Sequence, residues 1–469
     1  MKKSIKTTFA LFLGNRGTFP ASLIQQARNE MCNTLETIGF NVLIPPSDLT
    51  TSGAFETPTE GKLFAEFLDA NRGLYQGVIL CLPNFGSEGG VIEALRNVQV
   101  PVLVHAYPDE LDKMATATRR DAFCGKFAVL NILVQYGLKF TNLQPHVVHP
   151  NDSEFKENII HFARICRVVN KLKNLTIGAI GARTTPFKAV RYDEIALQQH
   201  GITVETMDLV NVFMQFDKVD SNSEEFKSKE DYLKNYTRWD GVPKQAMTDI
   251  ARLGVAFDQI AAEYGLDGMA LRCWTELQQK LHISPCVLMG VMNDNEMMAA
   301  CEVDVCSAVA MAALHAATGT AVTNLDWNNN YGTEKDKCIL FHCGPVPQSL
   351  MKEKGQIVDH ELLVPALGKG CSWGCNVGRI KAMEMTYCGM KTMNGKLQFY
   401  IGEGKITDDE ISGNFFGCAG VAQIENLQQV LQTIGTAGHR HHTVIVEGHV
   451  ANAVHEALEK YIGAEVIRL

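Results

Sequence analysis

Within its first hundred residues the chain alternates short apolar runs with helix-like stretches, a rhythm that few architectures accommodate. TTFALFL is followed by a helical pattern from about Ala21 to Thr37, and then by FNVLIP. A second pattern, from about Gly61 to Arg72, precedes QGVILCLP, and a third, from about Glu88 to Asn97, precedes VPVLVHAY. Strands separated by helices of roughly 10–15 residues imply right-handed βαβ units on a parallel sheet. Residues 1 to about 172 are therefore expected to form one α/β domain.

The rhythm restarts at NLTIGAIGART and is read as continuing through strands in ITVETMDLV, MALRCW, PCVLMGVM and AVTNLDW. It defines a second α/β domain over 173–350, interrupted by a polar, charged insertion from Asp217 to Gln245 that reads as a solvated segment or exposed helix. Beyond residue 350 long helical patterns are rare until NAVHEALEKYI; KLQFYIGEGKIT follows the hairpin signal Asn394-Gly395, and HHTVIVEGHV reads as a late strand. The expected fold is thus two Rossmann-like parallel-sheet α/β domains followed by a mostly antiparallel β domain over 351–469. A length of 469 residues fits two or three domains.

Composition narrows the function classes. Lys+Arg 43 against Asp+Glu 52 leaves a net charge of −9, which argues against nucleic acid or an anionic membrane surface as partner. FALFL is too short for a signal h-region, no small-residue cleavage site follows it, and no stretch approaches the ~18 apolar residues of a membrane span. Fourteen cysteines scattered in mostly apolar context read as reduced thiols, so a cytoplasmic location is expected. CSWGC lacks a partner pair and is not read as a zinc site.

LGNRGTFP follows the first strand, at the carboxyl edge where open α/β sheets bind ligands, and places Arg16 there. It is not a GxGxxG sequence, and turn chemistry accounts for its glycines and for those of NFGSEGG, so dinucleotide binding is a weak reading. Four other segments hold acids or imidazoles. Glu302 and Asp304 open an Ala-rich apolar helix, where a dipole preference for acids would also place them. Asp326 ends the apparent strand AVTNL, at the catalytic edge of a parallel sheet. His342 ends CILFH, and GTAGHRHH carries His439, His441 and His442. Singly each has a structural explanation. Together, carboxylates and imidazoles at strand ends suit a divalent ion, Mn²⁺ rather than a thiolate-binding metal.

In that order, ACEVDVCSAVAMAALHAATGT, NLDWNNN, FHCGPVP and HHTVIVEGH resemble the L-fucose/L-arabinose isomerase superfamily, most closely its L-fucose isomerase-like branch. GNRGTFP also looks like that branch's N-terminal turn. The resemblance spans nearly the whole chain, and its most specific element is CEVD followed by LDWNN. It implies an aldose–ketose isomerase using Mn²⁺, or another divalent ion such as Co²⁺ or Mg²⁺. Glu302 and Asp326 would be metal ligands and the acid/base pair, acting through an enediolate; His442 would be a ligand, with His441 the alternative if the register slips by one. His342 matches a ligand of the arabinose isomerase branch, and His439 has no counterpart. A homo-oligomer, trimer or hexamer, is implied, with one subunit's N-terminal domain capping another's site. Arg16 then contacts substrate, and Arg183 in RTTPF, Trp274 and His441 are further substrate-binding candidates.

The chain is shorter than typical fucose isomerases and its insertion after Asp217 is distinctive, which leaves the sugar open. A guanidinium such as that of Arg16 would hold either a hydroxyl or an anionic substituent, sulfonate or phosphate. A second class of function is a non-catalytic sugar-binding protein on the same scaffold.

Overall fold

The computed structural model describes residues 6–469; residues 1–5 lie outside the described residues. The chain divides into two compact units, Met1–Asn170 and Lys171–Leu469. No helix among the described residues is long and apolar enough to cross a membrane.

The first unit is built on β1 (Thr8–Leu13), β2 (Asn41–Leu43), β3 (Gly77–Leu82) and β4 (Val102–Ala106), all parallel, in the order β2-β1-β3-β4. Every residue of β1, β3 and β4 is buried, as expected of strands covered on both faces. The intervening helices run Ser22–Thr37, Pro58–Ala70 and Glu88–Leu95. Thr57 before Pro58 and Glu60 after it form a reciprocal capping box, which fixes the second helix's start three residues earlier than the apolar spacing suggests.

The second unit opens with another parallel sheet, β5 (Leu175–Ile180), β6 (Ile202–Met207), β7 (Gly268–Leu271) and β8 (Met298–Cys301), ordered β6-β5-β7-β8. The charged insertion folds into a helix, Glu224–Tyr236, that buries Phe226 and Leu233 and leaves most of its acids and lysines toward water. PCVLMGVM is corrected from strand to helix, Cys286–Asp294, and MAAC supplies the strand instead. Every residue from Cys286 to Asn293 is buried, so the segment has no polar face and its apolar run carries no period that separates the two structures.

The remaining strands are β9 (Val322–Tyr331), β10 (Glu334–His342), β11 (Gln356–Asp359), β12 (Trp373–Arg379), β13 (Met383–Met393), β14 (Lys396–Thr407), β15 (Cys418–Gln423), β16 (His442–Glu447) and β17 (Glu465–Arg468). They form one sheet, β11-β12-β15-β10-β9-β16-β13-β14-β17. A further pairing of β14 with β15 closes β15-β10-β9-β16-β13-β14 into an antiparallel barrel. The turn between β13 and β14 is two residues, Asn394 (φ 53°) and Gly395 (φ 74°), both left-handed as a type I′ hairpin requires.

Two expectations need correction here. Asp326 lies on β9 of this barrel, not at the edge of a parallel sheet, and a division at residue 350 separates β9 and β10 from strands to which they are hydrogen-bonded. The helix Val305–Thr318 explains the union. Its residues from Val305 to Leu314 are all buried, and it packs on β5, β7 and β8 on one side and on β9, β13 and β16 on the other. A helix apolar all round must be covered all round, and its alanines let both layers approach closely.

Candidate functional site

Five residues separated widely in sequence meet beside the start of that helix. β8 ends at Cys301, and the chain then passes through Glu302 (φ 64°) and Val303 (φ 60°) before Asp304 caps the helix. Two consecutive left-handed residues, one β-branched, cost on the order of 1–3 kcal/mol each and persist only where the surroundings impose them. Here the Val303 N–H is held by the Leu271 carbonyl at the end of β7, and the Asp304 N–H by the Cys301 carbonyl. The kink directs Glu302 and Asp304 inward together.

The barrel supplies the rest. His442 begins β16 directly opposite Asp326 on β9, and Asp326 is in turn opposite Phe341, the residue before His342 at the end of β10. Three adjacent strands thus present Asp326, His342 and His442 side by side. His442 Nε2 is 3.5 Å from Glu302 Oε2 and 3.5 Å from Asp326 Oδ1. His441 Nε2 lies 3.7 Å from the same Asp326 oxygen, with its side chain 44% exposed at the open side. The His342 and His442 ring centroids are 5.9 Å apart.

Asp304 anchors this group from behind. Its fully buried carboxylate accepts from Ser307 N–H (3.0 Å), Ser307 Oγ (2.7 Å) and His442 Nδ1 (2.7 Å), and from the buried Arg440 guanidinium. Burial raises its carboxyl, but Arg440, His442 and Ser307 outweigh that and hold it well below the usual carboxylate range. Asp304 belongs to this cluster, which a helix-dipole reading misses, and so does Arg440. The signal was the strand period: Arg440 and His442 are two apart, so both side chains leave one face of GTAGHRHH, whereas His439 packs edge-on against Tyr400.

The carboxyls of Glu302 and Asp326 are driven apart. Burial raises both, yet the histidines, His442 foremost, bring Glu302 below its ordinary value, while Asp326 is raised to about 6. Burial lowers His342 to about 3 and lowers His441 as well. For His442 burial also pulls down, but the neighbouring carboxylates of Asp304 and Glu302 prevail and raise it to about 10. A site that favours a proton on His442 Nε2 favours a cation there too, since both answer the same carboxylates.

The donor set fits a divalent ion. Glu302 Oε2, Asp326 Oδ1, His342 Nε2 and His442 Nε2 are all buried without a hydrogen-bond partner, a costly condition for polar atoms that nothing satisfies. One ligating atom from each of Glu302, His342 and His442 lies within 4.8 Å of the others, as do those of Asp326, His441 and His442. Two ligands at about 2.1 Å from an ion at right angles are about 3.0 Å apart, so 3.5 Å spacings are close to a formed coordination shell.

The other expected residues lie elsewhere on the scaffold. Arg183 and Trp274 follow β5 and β7, on the same carboxyl edge of the parallel sheet as Glu302. The Arg183 guanidinium bonds to the Thr184 and Thr185 carbonyls, and Trp274 is packed edge-on between Phe187 and His360. His360, fully buried with both ring nitrogens unpartnered, was not foreseen; no local pattern marks it. Arg16, in the first unit, follows β1 as expected, pairs with Glu88 at 2.8 Å and stacks 4.0 Å over Phe85. No cysteine forms a disulfide and most are buried; Cys375 Sγ lies 3.8 Å from Cys286 Sγ, but neither Cys371 nor Cys375 belongs to a group of three or more ligating side chains among the described residues.

Two family models match parts of this chain. Residues 10–173 match the family described as fucose/sulfoquinovose isomerase, N-terminal domain, and residues 340–469 match L-fucose isomerase, C-terminal domain. The chain is 23% identical over 293 residues to a sulfoquinovose isomerase of Priestia aryabhattai, covering 61% of this chain and 63% of that protein. It is 24% identical over 208 residues to one of Alkalicoccus urumqiensis (44% and 46%), and 26% over 211 residues to one of Clostridium sp. strain MSTE9 (42% and 45%). The match therefore spans under two thirds of the length of these relatives. On its two matched domains, which flank the segment carrying Glu302 and Asp326, the chain belongs to the fucose/sulfoquinovose isomerase family.

Proposed function

We propose that this protein is a metal-dependent aldose–ketose isomerase whose substrate is a sugar with an anionic substituent, of the sulfonated kind named for its relatives. The observation that carries the reading is the convergence of unpartnered, buried carboxylate and imidazole atoms around His442 Nε2. Mixed oxygen and nitrogen donors suit Mn²⁺, with Co²⁺ or Mg²⁺ as alternatives. Glu302, Asp326 and His442 would hold the ion, which when bound polarises the carbonyl and hydroxyl oxygens of the sugar and stabilises enediolate charge.

The chain's own groups move the protons. Glu302, held ionised by its histidine neighbours, takes the proton from C2, and the electron pair shifts toward O1 to give the enediolate. Asp326, raised to about 6, is the partner able to carry a proton near neutrality and deliver it to C1. O1 takes up the proton that leaves O2, which puts the hydroxyl on C1 and the carbonyl on C2, and a proton passed from Glu302 back to Asp326 restores the pair.

Arg183, Arg16, Trp274 and His441 are proposed to bind the sugar. Arg183 is the preferred anchor for an anionic group because its guanidinium meets only loop carbonyls, whereas Arg16 is already paired with Glu88. A trimer or hexamer with sites between subunits belongs to the same proposal, and light scattering on the purified chain tests it.

The deciding experiment offers neutral, phosphorylated and sulfonated aldoses to the wild-type chain and to Glu302→Gln with added Mn²⁺. Turnover of a sulfonated aldose, lost on chelation and reduced roughly 10²–10⁴-fold in the variant, is expected. Unchanged turnover in Glu302→Gln, or turnover indifferent to chelator, sinks the mechanism. Sugar binding with no product supports the non-catalytic alternative.

A further inference from the structure

His342 and His442 are both buried, both leave Nε2 without a partner, and both face Glu302, so residue type alone makes them equivalent ligands. Their second nitrogens say otherwise. His442 Nδ1 is 2.7 Å from Asp304 Oδ2, and that carboxylate already receives the Ser307 hydroxyl and the Arg440 guanidinium. A carboxylate so surrounded by donors accepts, so Nδ1 carries the hydrogen and Nε2 keeps its lone pair for a cation.

His342 Nδ1 has the opposite partner. The backbone N–H of Cys343 points at it over 2.9 Å, and the Cys301 thiol, also a donor, is 4.0 Å away. A backbone N–H cannot accept a hydrogen bond, so Nδ1 holds a lone pair and the ring hydrogen sits on Nε2. Turning the ring over does not help: it would set a C–H against the Cys343 amide and strand that donor in the core, at a cost of roughly 1–3 kcal/mol.

We propose that His342 is not a ligand but presents Nε2–H into the site as a fixed donor to an oxygen of the bound sugar, leaving His442 as the imidazole ligand. The inference rests on the isomerase reading above and assigns within it which imidazole takes which part. A neutral N–H aimed where charge develops on the sugar's oxygen stabilises the enediolate without any proton changing hands. One such donor is typically worth 10²–10³ in kcat.

The test separates metal affinity from turnover. Mn²⁺ binding to the full chain is followed by the loss of the free-ion electron paramagnetic resonance signal, for wild type, His342→Leu, His342→Gln and His442→Gln. His342→Leu and His342→Gln are expected to bind within about threefold of wild type, while His442→Gln loses at least the 10–100-fold typical of a disturbed metal shell. Turnover is expected to fall 10²–10³-fold in His342→Leu, with KM little changed, and to recover in part in His342→Gln, whose side-chain amide restores an N–H. A loss of Mn²⁺ affinity in both folded His342 variants, as large as that in His442→Gln, overturns the proposal. The ring state has its own readout: in the metal-free, ¹⁵N-histidine-labelled chain, with His342→Gln used to assign the resonance, His342 must show the Nε2–H form. An Nδ1–H form overturns the inference even if the variants are unstable. Should the wild-type chain take up no Mn²⁺, the metal reading fails by itself, and the ¹⁵N spectrum still decides whether His342 is a donor.

Discussion

Replacing Asp304 by Asn changes almost no volume and removes one charge, which makes it the sharpest probe of the buried network. The Asp304 and Arg440 side chains are 0% and 3% exposed, and apart from Asp304 the guanidinium has the Arg191 carbonyl at 3.2 Å. Removing one member of a buried pair costs about 3–5 kcal/mol, because the other is left as an uncompensated charge. The introduced amide's oxygen can still accept the Ser307 N–H, so the ~1 kcal/mol of the helix cap is retained and does not enter. The expected loss is therefore about 3–5 kcal/mol, a large part of the ~5–15 kcal/mol typical of a native protein. All four tryptophans (Trp239, Trp274, Trp327 and Trp373) lie in the second unit, so urea unfolding followed by tryptophan fluorescence reports on that unit. The double variant with Arg440→Met should lose less than the sum of the single changes, with a coupling of ~0.5–3 kcal/mol. In Asp304→Asn the amide NH₂ would also donate to His442 Nδ1, moving the ring hydrogen to Nε2 and lowering Mn²⁺ affinity about 10–100-fold. An unchanged midpoint with additive single changes would refute the reasoning, since the pair would then contribute nothing by being buried together.

Other parts of the molecule make simpler predictions. Burial, with Lys126 and His149 nearby, lowers His105 to about 3. Since the unfolded value is about 6.5, the unfolded chain binds the extra proton as pH falls from there toward 3; the stability is complete above about 6.5 and roughly 2–3 kcal/mol is lost by pH 4.5. Amide exchange in β4 should show that loss, and His105→Met should flatten it. Gly125→Ala places a Cβ 1.9 Å from the Phe85 carbonyl oxygen, so a loss of about 3 kcal/mol or more is expected on thermal unfolding of the first unit. Gly395→Ala meets nothing within 4 Å and should cost only about 1 kcal/mol, from its left-handed φ of +74°, by the same measurement on the second unit. Arg183→Gln should raise KM for a sulfonated aldose while leaving Mn²⁺ binding unchanged; an equal effect on a neutral sugar would detach Arg183 from the anion.

What the sequence made legible, and what it hid, follows from which residues face one layer and which face two. The first unit's four strands and its helices Ser22–Thr37 and Pro58–Ala70 could be read because each of these helices has a polar side, so the 3.6-residue period survives in the letters, and Asn394-Gly395 announces its turn through backbone chemistry alone. Cys286–Asp294 and Val305–Thr318 are covered on every side; their periods vanish, and one was read as a strand. The same covering hid the boundary, for a helix that belongs to both a parallel sheet and a barrel makes them one unit. The site shows this limit in its chemical form. Glu302, Asp326, His342 and His442 could be named from residue type and order. What each can do depends on a second partner: Asp304, 138 residues from the histidine it orients, or the amide of Cys343, adjacent in the chain and invisible as a letter. Sequence identifies an imidazole, but the partner of its Nδ1 decides whether its Nε2 offers a lone pair or a proton. The proposed isomerisation asks one site to bind a cation and stabilise a developing anion within a few ångströms, and for that both kinds are needed.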